Sequence, residues 1–278
     1  AGPRSCASMC SSMARAGRSW RSPACSARSF PSRLSFYPFG FWSGFKNVQT
    51  LIDTELIKFQ GWMMRVRQPK KPKRLLLLIH GFTGDENSMW VFARSLSFDY
   101  WMIAPRAPLS AGTSGYTWRP LHSPDSSLDS GQDFGKPSLE QLRPSAEGLM
   151  RLVDEYQAST WIDANSDERQ TIDVMGFSQG AVMCNILSFL YPRRIRKVGI
   201  LAGFIPSGLE ELVPKRPLEG KEFFVAHGTK DETVTIDRAR HSVVLLEQAG
   251  ARVTYCEDEV GHKVSAHCVI ALKNFFRD

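Results

Sequence analysis

Residues 171–182 place a serine in a setting that suits nucleophilic chemistry. A short apolar stretch with the pattern of a strand leads into residues 176–180, which read Gly-Phe-Ser-Gln-Gly, and a helical pattern follows. On a sharp strand-to-helix turn, glycines two positions before and after a serine leave its hydroxyl projecting from the end of the strand. A flexible Gly/Ser loop gives the same letters, so the flanking strand and helix are what favour a nucleophile. We therefore predict that Ser178 attacks the carbonyl carbon of an acyl group.

A serine hydroxyl needs a base to accept its proton, and the base needs an acid to orient it. Asp231 follows one predicted strand and His262 follows the next. The chain order Ser178, Asp231, His262 is one known for such catalytic triads. Asp258 and Glu259 lie close to His262 in the sequence and are rival acids to Asp231. The sequence thus predicts Ser178 as nucleophile, His262 as base and Asp231 as orienting acid.

The remaining histidines have simpler interpretations. His80 and His227 each precede a glycine at the end of a predicted strand, where hydrogen bonding to neighbouring loops is expected. His122, His241 and His267 have no motif around them, and surface or helix-face positions account for them.

The elements that must position these residues alternate between strand and helix. A hairpin pattern around Gly61 spans residues 55–67, and residues 74–79 are apolar enough to be buried on both faces, as parallel sheets require. Residues 105–137 are rich in Gly, Pro and Ser without a period, which predicts a long functional loop. The alternation predicts an α/β fold, with a mostly parallel central sheet and helices on both faces. The other predicted strands are 100–104, the stretch before Ser178, 197–202, 221–226 and 252–256, and the predicted helices are 87–97, 138–156, the stretch from Ser178 to about 190, 236–248 and 264–276.

The net charge of +7 is confined to the amino-terminal part of the chain. Residues 1–52 contain six Arg and one Lys but no acidic residue, which leaves 28 basic and 28 acidic residues in the remainder. A neutral body gives no support for a nucleic-acid partner. We predict a disordered basic leader over residues 1–52, which is either an organellar transit peptide or a misassigned gene start. Residues 53–278 then form the catalytic domain.

The cysteines predict neither a disulfide framework nor a zinc site. There are six, no Cys-x-x-Cys occurs, and the body contains an odd number, namely Cys184, Cys256 and Cys268. We expect reduced thiols in an intracellular protein, with Cys184 as a small buried hydrophobic residue. The longest purely aliphatic run, residues 75–79, is far too short to span a bilayer, so no stable membrane insertion is expected.

The chain resembles the phospholipase/carboxylesterase family of α/β-hydrolases, which includes the acyl-protein thioesterases. The resemblance covers residues 56–278 and implies an α/β-hydrolase fold with no separate lid domain. It rests on several motifs in the expected order: residues 80–85 (His-Gly-Phe-Thr-Gly-Asp), 104–108 (Ala-Pro-Arg-Ala-Pro) with Gly115 and Trp118 beyond, 176–180, 202–204 (Ala-Gly-Phe), 227–231 (His-Gly-Thr-Lys-Asp) and 261–262 (Gly-His).

The resemblance implies roles for particular residues. It assigns the nucleophile to Ser178, the acid to Asp231 and the base to His262, and it implies an oxyanion hole formed by the backbone N–H groups of Phe82 and Gln179. Both positions make physical sense, because Gln179 begins a helix and Phe82 lies in the Gly-rich turn after a buried strand. Donors already directed at the developing oxyanion contribute about 3 to 4 kcal/mol each.

An apolar pocket for the acyl group is predicted around Met89, Trp118 and Phe204. Core packing explains Met89 about as well. Trp118 lies in a segment that departs from the family, because Arg119 and Pro120 replace the acidic residue that usually follows the tryptophan.

We expect hydrolysis of small-molecule carboxylic esters or thioesters with small to medium acyl groups, through an acyl-enzyme and without metal or cofactor. A serine peptidase of the same fold and a noncatalytic hydrolase-fold binding protein are the alternatives. A lipid-surface protein that binds through the leader predicts instead that deletion of residues 1–50 abolishes vesicle binding and leaves esterase activity intact. The cytoplasm is the expected compartment, or an organelle if the leader is a transit peptide, and the sequence leaves a homodimer open.

Overall fold

An eight-stranded sheet forms the centre of the chain in the computed structural model, which describes residues 53–94, 96–97, 99–112, 114–121, 137–160 and 171–277. Its strands are β1 (Glu55–Phe59), β2 (Trp62–Arg67), β3 (Arg74–Ile79), β4 (Tyr100–Pro105), β7 (Ile172–Phe177), β8 (Ile195–Leu201), β9 (Glu222–Gly228) and β10 (Arg252–Asp258). They lie in the order β1-β2-β4-β3-β7-β8-β9-β10. The two pairings made by β2 are antiparallel and all the others are parallel, which confirms the predicted sheet.

Helices cover both faces of this sheet over two apolar clusters. One cluster lies under α2 (Leu139–Thr160), α3 (Gln179–Leu190) and α4 (Ile236–Gln248), and the other under α1 (Trp90–Ala93) and α5 (Ala266–Phe275). The side chains of β3 alternate between the two clusters, and residues 75–79 are all 0% exposed. A strand buried on both faces is what its continuous apolar sequence predicts. The α/β fold is therefore confirmed, and no separate lid domain is present among the described residues.

The helix predicted over residues 87–97 is much shorter than expected, since α1 has four residues. The Asp85 carboxylate accepts hydrogen bonds from the backbone N–H of Asn87 and from the Ser88 hydroxyl, both at 2.9 Å. Asp, Asn and Ser side chains that bond to nearby backbone compete with helix formation, and they do so here. In contrast, α4 has the bounds that the sequence predicts, and α2 extends four residues beyond its predicted end.

The long loop after β4 contains a small antiparallel hairpin, formed by β5 (Leu109–Ser110) and β6 (Tyr116–Thr117). Two-residue strands have no readable period, so the sequence did not predict them. β6 also bridges to Gly84, in the loop after β3. The hairpin thus connects two loops at the carboxyl edge of the sheet.

The expectation that all body cysteines are reduced is wrong for one pair, because Cys256 and Cys268 form a disulfide. Their separation of 12 residues has no motif of its own. The end of β10 and the start of α5 bring the two side chains together, which only the tertiary structure decides. Cys184 is a free thiol at 0% exposure, which confirms its predicted burial.

The predictions for residues 1–52 and for His122 lie outside the described part of the chain. No helix within that described part combines the length and apolar character needed to cross a membrane.

Candidate active site

The parallel strands bring three of the predicted site residues to one edge of the sheet. Ser178 follows β7 directly, while Asp231 and His262 lie in the loops after β9 and β10. Since the carboxyl ends of parallel strands lie at the same edge, residues far apart in the sequence meet there. A Cβ on Gly228, at the end of β9, would lie 2.3 Å from the carbonyl oxygen of Gly261. The loops that carry Asp231 and His262 are therefore in close backbone contact.

The turn that presents Ser178 is strained and closely packed. Its φ and ψ angles are 53° and −117°, a conformation that costs a non-glycine residue about 1 to 3 kcal/mol. A Cβ on Gly176 would lie 2.2 Å from the carbonyl oxygen of Gly180, and a Cβ on Gly180 would lie 2.0 Å from that of Ile79. Close backbone approach thus explains both glycines of the motif. The Ser178 N–H donates to the carbonyl oxygen of Leu201 at 2.9 Å, which holds the turn against β8.

The His262 imidazole lies between the serine and the aspartate. Its Nε2 is 2.9 Å from the Ser178 Oγ, and its Nδ1 is 2.7 Å from the Asp231 Oδ2. A carboxylate can only accept, so Nδ1 carries the proton and Nε2 is the free acceptor for the serine hydroxyl. The ring also packs against Phe177, with ring centroids 5.1 Å apart. In this arrangement His262 can remove the proton of Ser178.

Asp231 is held rigidly by its own loop. Its Oδ1 accepts hydrogen bonds from the backbone N–H groups of Thr233 and Val234, both at 2.9 Å, and its side chain is 0% exposed. These bonds leave Oδ2 directed at His262, with the His227 Nε2 farther away at 3.3 Å. The carboxylate therefore has a fixed orientation before any substrate arrives.

The two rival acids, Asp258 and Glu259, interact with groups other than His262. The Asp258 carboxylate accepts a hydrogen bond from the Glu259 backbone N–H at 2.8 Å. Hydrogen bonds from Ser265 and from this N–H lower the pKa of Asp258. Glu259 is exposed and pairs with Lys230 at 2.9 Å. The structure thus brings Asp231, and neither rival, into contact with His262.

His80 and His227 stabilise loops around the site, as the sequence suggests. The His80 Nε2 accepts the Ala107 N–H at 3.0 Å, and its Nδ1 donates to the carbonyl oxygen of Gly81 at 2.7 Å. The His227 Nε2 donates to the carbonyl oxygen of Val234 at 2.8 Å. Burial lowers the pKa of both imidazoles below the usual value, which favours their neutral forms. His241 and His267 are exposed.

The two expected oxyanion donors flank Ser178 from different loops. Gln179 is the first residue of α3, so its N–H has no partner within the helix. Phe82 lies in the turn after β3, and the adjacent Gly81 contacts the nucleophile, since a Cβ on Gly81 would lie 3.3 Å from the Ser178 Cβ. The assignment of the Phe82 and Gln179 N–H groups to an oxyanion hole stays a prediction.

The three predicted pocket residues have different surroundings. Met89 is 1% exposed within the cluster under α1 and α5, and Trp118 is 0% exposed with its Nε1 donating to the carbonyl oxygen of His80 at 2.8 Å. Neither side chain offers surface to a substrate, because both fill the core. Phe204 follows β8 beside the nucleophile strand and is 5% exposed in the cluster under α2, α3 and α4, with the Arg238 guanidinium 3.4 Å from its ring centroid. All three predicted pocket residues are therefore buried, and Phe204 keeps the most exposed surface of them.

Sequence inspection missed the side chains that hold the loops around the site. Arg106 donates twice to the Glu86 carboxylate, at 2.7 and 2.8 Å, and lies 4.6 Å from the Tyr116 ring centroid. Thr117, in β6, bonds to the side-chain amide of Gln179. Arg106 lies in a motif of the resemblance, which marks it as a candidate, whereas nothing in the sequence around Thr117 indicates its partner.

The sequence model of the Phospholipase/Carboxylesterase family matches residues 63–278. The chain belongs to this family. A carboxylesterase from Mesorhizobium loti is 18% identical with a TM-score of 0.65, and the match covers 80% of this chain and 97% of that chain. The Bacillus cereus carboxylesterase is 23% identical with a TM-score of 0.64, covering 78% and 94%. SOBER1 from Arabidopsis thaliana is 17% identical with a TM-score of 0.57, covering 73% and 97%.

These three solved structures are below 25% identical and show the fold alone. Membership of the family makes the protein a hydrolase of the carboxylic-ester class, and it confirms the resemblance that the motifs indicate. A small-molecule ester is accordingly the class of substrate.

Proposed function

We propose that this ester hydrolase uses Ser178 as a nucleophile and proceeds through an acyl-enzyme, with carboxylic esters or thioesters as substrates. The observation that supports the proposal most directly is the continuous chain of hydrogen bonds from Ser178 through His262 to Asp231, at 2.9 and 2.7 Å. Nucleophile and base lie within hydrogen-bond reach, and a third group orients the base.

In the acylation step, the Ser178 Oγ attacks the substrate carbonyl carbon while the His262 Nε2 accepts the hydroxyl proton. The carbonyl oxygen becomes an oxyanion, which accepts hydrogen bonds from the N–H groups of Phe82 and Gln179. The imidazolium, stabilised by Asp231, then gives its proton to the leaving alkoxide or thiolate. The products of this half-reaction are the acylated serine and a free alcohol or thiol.

In the deacylation step, water takes the place of the leaving group. His262 accepts a proton from the water as it attacks the acyl carbon, and the same oxyanion donors stabilise the second tetrahedral intermediate. Collapse of that intermediate returns the proton to Ser178 and releases the carboxylic acid. Every step uses side chains and N–H groups of this chain.

The proposed substrates have small to medium acyl groups. The side chain of His262 is 24% exposed and Phe82 is 37% exposed, so the triad lies near the surface. Phe204, which follows the strand next to β7 and is 5% exposed, is the proposed contact for the acyl chain. Short soluble esters should therefore give a higher kcat/KM than long-chain emulsions.

The disulfide bears on the proposed compartment. Disulfides persist in oxidising compartments and are rare in the reducing cytosol of mesophiles. The bond between Cys256 and Cys268 therefore favours an oxidising compartment over the cytoplasm.

The test is intact-mass labelling with a fluorophosphonate, together with turnover of p-nitrophenyl esters from acetate to octanoate. Ser178→Ala is compared with Ser188→Ala, a matched control on the same helix whose hydroxyl donates to the carbonyl oxygen of Cys184. We expect one label per chain and turnover in wild type and in Ser188→Ala, and neither in Ser178→Ala.

The alternatives give different results. A noncatalytic binding protein predicts no labelling of a well-folded wild type, and this result would overturn the proposal. A peptidase of the same fold predicts labelling at Ser178 with cleavage of peptide substrates at a higher kcat/KM than esters.

A further inference from the structure

The two expected oxyanion donors lie on separate loops, so something must fix the distance between them. Gln179 lies after β7 and Phe82 lies after β3. Catalytic groups have to be held within a few tenths of an ångström of their productive positions, because small displacements weaken their interaction with the transition state. The hairpin residues Tyr116, Thr117 and Trp118 contact both loops.

On the Phe82 side, the contacts run through the backbone. The Thr83 N–H donates to the carbonyl oxygen of Tyr116, and the Tyr116 N–H donates to the carbonyl oxygen of Gly84, both at 3.0 Å. A Cβ on Gly115 would lie 1.9 Å from the Thr83 carbonyl oxygen. The turn that carries Phe82 is therefore pressed directly against the hairpin.

On the Gln179 side, the contacts run through the side chain. Its Oε1 accepts the backbone N–H of Trp118 at 3.0 Å, and its Nε2 donates to the Thr117 Oγ1 at 3.1 Å. The Thr117 hydroxyl can in turn donate to the carbonyl oxygen of Arg119, at 3.1 Å. Because the Trp118 N–H can only donate, the amide oxygen of Gln179 has to face it, which determines the orientation of the amide.

These bonds are buried and therefore costly to lose. Thr117 is 0% exposed and Gln179 is 9% exposed, and water cannot readily replace a missing partner at such positions. Hydrogen bonds thus fix the side chain of Gln179 to the hairpin and the hairpin to the turn that carries Phe82. This side chain belongs to the same residue whose N–H is the proposed oxyanion donor.

We propose that Thr117 is a positioning residue for the oxyanion hole. Its hydroxyl holds the Gln179 amide, and through it the start of α3, at a fixed distance from the Phe82 turn. Thr117 touches no reacting atom, and the inference rests on the proposed acyl-enzyme function of Ser178.

The test compares Thr117→Val, which removes the hydroxyl and keeps the shape, with Thr117→Ser, which keeps the hydroxyl. Loss of a whole oxyanion donor lowers kcat about 100- to 1,000-fold, so a displaced donor should lower it by about tenfold. We expect that fall in kcat in Thr117→Val, with KM for p-nitrophenyl butyrate changed by less than about twofold, because the donors act in the transition state. Thr117→Ser should restore kcat to within about threefold of wild type.

A second readout separates positioning from general stability. A trifluoromethyl ketone forms a hemiketal oxyanion on the serine, so its affinity should fall with kcat in Thr117→Val while KM stays unchanged. Ser110→Ala is the matched control, since it removes a hydroxyl that bonds to the backbone of Gly112 in the same hairpin, and its kcat should match wild type. If Thr117→Val does not fold, the same kcat measurement is made on Gln179→Met, which removes the side-chain amide and keeps the backbone N–H. A similar fall in kcat supports the positioning role, and an unchanged kcat overturns it.

The outcomes are distinguishable from failure of the proposed function. An inactive, unlabelled wild type contradicts the proposed function itself. An active wild type with an unchanged kcat in Thr117→Val, or a loss of kcat that Thr117→Ser does not restore, overturns the positioning role alone.

Discussion

Replacement of Asp231 by asparagine tests the proposed triad most sharply, because the surrounding hydrogen bonds dictate how the new side chain must lie. Oδ1 of Asp231 accepts two backbone N–H groups, from Thr233 and Val234. An amide NH₂ at that position would face two donors, so the amide oxygen of the asparagine has to stay there. The NH₂ group of Asp231→Asn then occupies the position of Oδ2, 2.7 Å from the His262 Nδ1.

This orientation reverses the tautomer of His262. An NH₂ group donates, so Nδ1 has to accept and the proton moves to Nε2. Nε2 can then no longer accept the proton of Ser178, although the heavy atoms stay in place. A wrong tautomer of this kind lowers kcat about 10⁴-fold in a serine protease triad, and at 1.36 kcal/mol per tenfold this is about 5.4 kcal/mol of transition-state stabilisation.

The assay is kcat/KM for p-nitrophenyl butyrate, with thermal unfolding measured in parallel to show that the variant is folded. Asp258→Asn is the matched control, because the Asp258 carboxylate accepts a hydrogen bond from the Glu259 backbone N–H and does not contact His262. We expect it to stay within about twofold of wild type. If Asp231→Asn retains more than about a tenth of wild-type activity, or if Asp258→Asn shows the larger loss, the assignment of the acid is wrong.

Three further predictions follow from the packing around the site. Gly180→Ala should lower both Tm and kcat, because its Cβ would lie 2.0 Å from a carbonyl oxygen of β3. Gly148→Ala is the control, since its Cβ would lie 3.4 Å from its nearest neighbour, and its kcat should be unchanged. Equal changes of Tm and kcat in the two variants, measured by calorimetry and turnover, would contradict this. Replacement of Cys256 and Cys268 by serine should cost about 3 kcal/mol of unfolding free energy for a loop of this length, measured by urea denaturation, and a midpoint equal to that of wild type would show that the bond is not formed. Burial lowers the pKa of His80 below its usual 6.5, so at lower pH the unfolded chain binds more protons than the folded protein, and stability should fall as the pH drops below about 6.5. A Tm that is flat from pH 7.5 to 5, or a pH dependence of Tm in His80→Asn equal to that of wild type, would exclude this contribution.

Local sequence patterns determined most of the elements and their order. The periodicity of α4 predicts the bounds that the structure shows, from Ile236 to Gln248, because a helix that faces a sheet has to repeat its apolar residues every three or four positions. The run before His80 reads as a buried strand because both of its faces meet a core. The glycines around Ser178 indicate a tight turn since no side chain fits there. These signals lie within a few residues of the elements they specify.

The partners of each side chain were decided by tertiary structure alone. Asp231 contacts His262 because β9 lies beside β10, whereas Asp258 and Glu259 are nearer in the sequence and face elsewhere. Sequence spacing likewise gave no sign that β10 and α5 bring two cysteines together.

Burial was the other property that only the folded chain decided. Met89 and Trp118 have the apolar character of pocket residues, and the same character places them in the core. Thr117 has no motif, and it contacts Gln179 only because the hairpin after β4 folds over the nucleophile turn. The physical reason is the same in each case, since strand order and loop docking depend on contacts between distant segments, which no local pattern encodes.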